Sequence, residues 1–143
     1  MGKRREGREA AVQFLFQRDL NPEEESGSRD GFWAMVPAGK GTRDFCNGLI
    51  QGVLDNRETI DGRIKKYAAN YELSRIATVD RNILRIAIYE MLFCEEIPPV
   101  VSINEAIEVA KRFGSEDSGR FVNGILDRVR AELNRPARTV ASP

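Results

Sequence analysis

A chain of 143 residues in which 22 Lys and Arg balance 22 Asp and Glu is neutral as a whole. That excludes a uniformly basic coat protein, so any site for a polyanion must come from local clustering. With 41% hydrophobic residues it can build one core unaided; no histidine and only Cys46 and Cys94 argue against a zinc site or a disulfide framework, and for reduced thiols in the cytoplasm.

The first helix is expected from about Arg4 to Leu20, with Ala11, Val12, Leu15, Phe16 and Leu20 on its core face. Phe14 and Ala10 fall away from that face, which leaves Phe14 exposed or against a partner. "NPEEESGSRDG" reads as a loop, "FWAMV" as a short apolar segment and "PAGKG" as a second break. From Thr42, a plausible cap, a long helical pattern runs to about Tyr67 through Phe45, Leu49, Val53, Ile60 and Ile64. Gly48 and Gly52 are poor helix formers and suggest close approach of another helix. "ELSRIAT" reads as a single turn.

"VDRNILRIAIYEMLFCEE" is apolar on nearly every side and should be a central helix, ended by Pro98 and Pro99. Its apolar run carries Arg85 and Glu90 and is too short to span a bilayer. Ser102 and Glu105 have the spacing of a capping box for the next helix, which Gly114 stops in a left-handed conformation. "SEDS" connects to a last helix bearing Phe121, Val122, Ile125, Leu126, Val129 and Leu133. No strand-like alternation and no internal repeat stand out. The expected fold is all-α, six or seven helices, in one domain over 1–134 with a flexible tail over 135–143.

Chemistry is sparse. Glu105 and Glu108 share a helix face, but no base, nucleophile motif, phosphate-cradling loop or metal constellation accompanies them, so no enzyme, cofactor or metal is expected. Two stretches remain. Lys3, Arg4, Arg5 and Arg8 crowd the start of the first helix, where the helix dipole disfavours cations. They are either a solvated helix end or a contact for nucleic acid, since arginine forks match phosphates and stack on bases. Gly7 sits among them without an evident reason. In "SEDSGRF", Asp117 and Ser118 open a helix, followed by Arg120 and Phe121. Simple capping with Phe121 in the core and an anion or base contact both fit this pattern.

"RREGREAAVQFLF", "VDRNILRIAIYEM" and above all "INEAIEVAKRFGSEDSGRFVNGILDRV" closely resemble the NusB family of bacterial transcription antitermination factors. The likeness spans nearly the whole chain and is loosest over 21–41 and the tail. It implies two small helical bundles packed together and a non-enzymatic protein of the cytoplasm, with no membrane attachment. It implies binding of boxA-type single-stranded RNA together with NusE, the ribosomal protein that doubles as a transcription factor. With RNA polymerase and other Nus factors, such a complex promotes read-through of terminators in ribosomal RNA transcripts. By resemblance the RNA-contacting residues are Lys3, Arg4, Arg5, Arg8 and Gln13, with Asp117, Ser118 and Phe121 as a second wall, while Phe16 and Asp80 face NusE. Phe16 stands where a tyrosine is common. Two other readings are an RNA-binding module of an rRNA methyltransferase, and a protein-only helical adaptor or homodimer using Phe14, Trp33 or the Gly48/Gly52 face.

Overall fold

The computed structural model describes residues 2–21, 29–68 and 72–133. The described residues form seven α-helices and one 3₁₀ turn. These are α1 (Lys3–Leu20), α2 (Arg29–Met35), α3 (Lys40–Asp55), α4 (Arg57–Tyr67), the turn Leu73–Arg75, α5 (Thr78–Phe93), α6 (Pro99–Phe113) and α7 (Ser118–Glu132). The tail expected over 135–143 lies outside the described residues, as does most of the loop expected after Asn21.

Helix α5 is the axis. It packs on α1 and α3 on one side and on α4, α6 and α7 on the other, so one helix belongs to both bundles. This is why its sequence is apolar nearly all round: Ile83, Leu84, Ile86, Ala87, Ile88 and Met91 are all buried. Glu132 at the end of α7 takes donors from Arg63, Lys66 and the Tyr67 hydroxyl of α4 and closes the second bundle. Its carboxyl is held down at about 2, first by the Tyr67 hydrogen bond and then by those from Lys66 and Arg63.

Several local expectations are corrected. Phe14 is 5% exposed, and its ring meets Phe32 edge-on at 5.4 Å, because α2 covers the face that the α1 periodicity leaves outward. The long helix from Thr42 is two helices. Asn56 breaks it, its side-chain amide donating to the Gly52 carbonyl at 2.8 Å, while the apolar spacing runs on undisturbed. Thr42 is no cap: α3 starts at Lys40, and the buried Thr42 hydroxyl donates to Glu6 at 3.3 Å. "RDG", read as loop, opens α2.

Gly52 does admit a neighbour, since a Cβ there would collide with the Tyr89 ring; around Gly48 there is open space. Pro99 does not end α5 but starts α6, in the first-turn position where its missing N–H costs nothing. The capping box therefore does not exist: Ser102 and Glu105 lie inside α6, with their side chains turned to other helices. Gly114 is extended rather than left-handed (φ −95°, ψ −171°). It is small because a Cβ would meet the Ser118 side chain and the Ala110 carbonyl. Among the described residues no helix is long and apolar enough to cross a membrane.

Candidate nucleic-acid interface

The start of α1 is wedged among three helices. Gly7 sets the approach to α3: a Cβ there would lie 2.7 Å from Phe45 Cδ2 and 3.3 Å from the Thr42 carbonyl. The Phe45 ring, brought this close, carries the Arg4 and Arg8 guanidiniums 5.2 and 5.3 Å from its centroid. Gly7 is thus what lets α1 seat its arginines on that ring.

The four expected cations divide into distinct roles. Arg8 is buried, its side chain 6% exposed, and its Nε and Nη2 donate to Glu90 of α5 at 2.7 and 2.9 Å. Ser102 of α6 donates to the same carboxylate at 2.8 Å. A guanidinium enclosed in this way joins α1, α5 and α6 and is not presented to a phosphate. Arg5 is half-buried and grips Glu105 of α6 through Nε and Nη2 at 2.9 and 2.7 Å. These hydrogen bonds hold the Glu105 carboxyl below its ordinary value, burial opposing them. Lys3 and Arg4 are exposed, and neither forms an ion pair with another described residue.

Beyond the cations, Arg5, Glu9 and Gln13 follow at four-residue intervals and share one face of α1. That face runs along α6, since Arg5 meets Glu105 and Glu9 accepts from Arg112 at 2.8 Å, so the two helices are parallel there. Gln13, half-buried, is next along the same edge. The α6 helix then ends at Gly114, and the Ser118 side chain accepts from the Ser115 backbone N–H at 2.9 Å. Ser118 is therefore a buried joint between α6 and α7 rather than an open anion site.

Asp117 stays exposed beside Arg120, and Phe121 is half-buried. Both line a groove of about 200 Å³ with Arg75, Ala77 and Asp80. Asp80 is 8% exposed, and its Oδ1 has no hydrogen-bond partner among the described residues. Phe16 is half-buried one turn past Gln13.

The two stretches singled out by sequence are thus not facing walls. Arg5 meets α6 at Glu105, in its middle, and the second stretch follows its end at Gly114, nine residues or about 14 Å of helix further on. One strand of nucleic acid, with a phosphate every 3.4 Å or so when stacked, would need about four nucleotides to bridge them. Sequence reading missed Phe45, Glu90, Glu105 and Arg75. For Glu90 a signal existed: a carboxylate in a helix apolar on every side needs a buried partner. Of the surface suggested for a protein-only adaptor, Phe14 is covered, Gly52 meets the Tyr89 ring, Trp33 donates to Asn47 at 3.3 Å and is half-buried, and Gly48 stays exposed.

Comparison with known proteins agrees with this architecture. The model described as NusB family matches residues 5–131. A protein of Trichlorobacter lovleyi named transcription antitermination protein NusB is 47% identical over 131 residues, covering 92% of each chain. One of the same name from Bacillus thuringiensis is 44% identical, over 92% of this chain and 99% of that one. The solved structure of T. maritima NusB superposes with a TM-score of 0.80 at 41% identity, covering 92% of each. A crystal structure of antitermination factors NusB and NusE in complex with dsRNA shares the fold, with a TM-score of 0.82 at 24% identity over 93% of this chain and 99% of that one.

Proposed function

The chain belongs to the NusB family, and from that premise we propose that it is a transcription antitermination factor acting in the cytoplasm. It binds boxA-type single-stranded RNA together with NusE, within an RNA polymerase complex that includes other Nus factors, and acts by binding rather than catalysis. The antitermination name carried by its relatives favours this reading over a methyltransferase module.

The observation that carries the RNA reading is the pair Lys3 and Arg4, left exposed where every other cation of the cluster is engaged by a carboxylate. In this account the RNA backbone enters at Lys3 and Arg4, with the Phe45-backed guanidinium free to meet a phosphate or stack on a base. It passes Arg5 and Gln13 along the α1–α6 edge and reaches Asp117 and Phe121. Phosphate contacts fix register, while a carboxylate repels phosphate and suits the amino group of a base, so Asp117 reads sequence and Phe121 supplies a stacking face. Arg8 holds this surface in shape from below, and Ser118 holds the joint under Asp117. The unpartnered Asp80 oxygen, beside the same groove, awaits a donor from NusE, because a buried acceptor left unpaired is costly. Phe16 adds apolar area to that contact.

Titration of a boxA RNA and a scrambled RNA of equal length, each with and without NusE, tests the proposal. The expected result is preference for boxA that NusE strengthens. Equal binding of both RNAs under all conditions would refute it.

A further inference from the structure

A second charged groove lies outside the surface described above. It has a volume of about 750 Å³ and is bounded by the end of α1, by α4, by the 3₁₀ turn and by the first turns of α5. Arg18, Arg57, Lys65, Arg81 and Arg85 line it, against Asp19 and Glu72. Asp61 adds one more carboxylate from behind, accepting Arg85 at 2.8 and 3.1 Å. Asp19 accepts Arg85 at 2.9 Å and Arg81 at 3.2 Å. Arg85 thus holds both oxygens of Asp61, whereas Asp19 accepts on Oδ2 and leaves Oδ1 to Arg57.

Arg57 is left at 3.8 Å from Asp19 and 3.5 Å from Asp61, with its side chain 41% exposed. Arg18 and Lys65 form no ion pair with another described residue. Arg18 and Lys65 stand in the last turns of their helices, where the dipole favours them whatever they bind. Arg57 has no help from the dipole and is held only by the long contacts to Asp19 and Asp61. It opens α4, the end at which the dipole disfavours a cation, yet it faces the same groove. Five cations meet three carboxylates, Asp19, Asp61 and Glu72, so a chain neutral as a whole has gathered a net positive surface here.

The groove also adjoins the proposed RNA surface. The turn Leu73–Arg75 forms the partition: Leu73 and Ser74 line the basic groove, and Arg75 lines the groove of Asp117 and Phe121. We propose that the basic groove binds the phosphodiester backbone of RNA that flanks the boxA-type element, after it crosses Arg75. This rests on the RNA-binding reading, and it adds a contact that recognises charge more than sequence, because five cations line the groove against the exposed polar groups of Glu72 and Ser74.

Fluorescence anisotropy with two RNAs tests it: a minimal boxA element, and the same element extended by ten uridines at one end or the other. For the wild-type chain one extension should raise affinity about tenfold and steepen the fall of log affinity with log salt by roughly 1.5 to 2, as two or three added phosphate contacts on a single strand require. Arg18→Gln/Arg57→Gln/Lys65→Gln should lose that gain while binding the minimal element as wild type does. If the triple variant melts early, Lys65→Gln alone, at an exposed site, should lose part of the gain. Neither extension raising affinity, or the gain surviving the triple substitution, would overturn the proposal; a groove serving an acidic protein would give that result. Failure to bind even the minimal element would instead refute the RNA reading itself, and this inference with it.

Discussion

The two ends of the α1–α5 seam solve the same problem differently. At the near end two arginines meet two carboxylates: Arg8 takes Glu90, Arg5 takes Glu105, and Arg8 Nη1 lies a further 3.7 Å from Glu105. At the far end three arginines, Arg57, Arg81 and Arg85, share Asp19 and Asp61. Equal numbers leave the near end neutral inside, with its positive charge confined to Lys3 and Arg4 on the outside. Sharing leaves positive charge within the groove itself. A count of cations along the sequence would rank these ends alike. Which charge is available depends on where the carboxylates sit.

The largest effect should come from breaking the buried Arg8–Glu90 pair. Arg8→Met leaves Glu90 buried with only Ser102 as donor, and removal of one partner from a buried pair costs about 3–5 kcal/mol. Urea unfolding should show that loss. A change below 1 kcal/mol would mean that Arg8 is not the buried clamp described here. Next comes Gly7→Ala. The added methyl forces Phe45 or the α1–α3 spacing to yield, at about 1–3 kcal/mol, against about 1 kcal/mol gained in helix propensity. A net loss near 1 kcal/mol is expected, and stabilisation instead would show that α1 has room to move.

A smaller, pH-dependent difference compares the ends directly. At the far end burial raises the Asp19 carboxyl, but the Arg85 charge and the bonds from Asn82 and Arg81 outweigh it and bring it below its ordinary 3.8. At the near end Glu105 lies below its ordinary 4.5 through Arg5. Both groups bind protons more weakly folded than unfolded. Each therefore stabilises the fold above its ordinary value and loses that contribution as pH falls through the lower folded one. Urea midpoints should drop between pH 5 and pH 2.5, and Glu105→Gln should flatten part of that drop while leaving the Asp19 share. An unchanged profile in Glu105→Gln would remove the near-end pair from the account.

The sequence carried the fold further than the site. Helix α5 was legible because its burial writes itself as an unbroken apolar surface, and α7 because its stripe is regular. The break at Asn56 was not, since the apolar spacing persists across it and only a side-chain bond to Gly52 marks the stop. Ser102 and Glu105 imitate a capping box because capping and cross-helix pairing use the same residue types. Within the site, the cluster at the start of α1 was visible as charge. Its division was not, because Arg8 meets a partner 82 residues away and Arg5 one 100 residues away. Gly7, opaque in sequence, is explained only by the Phe45 ring beside it.

The central claim is that the cations of α1 divide into internal clamps and an exposed RNA contact. Titration of boxA RNA over a range of salt concentrations against Lys3→Gln/Arg4→Gln, alongside its melting curve, tests this most directly. The account predicts a melting temperature close to wild type, since surface substitutions usually stay within about 0.5 kcal/mol. It also predicts affinity lower by about tenfold and a salt slope shallower by about 1.4, the share of two phosphates on a single strand. Wild-type affinity with an unchanged slope would contradict it.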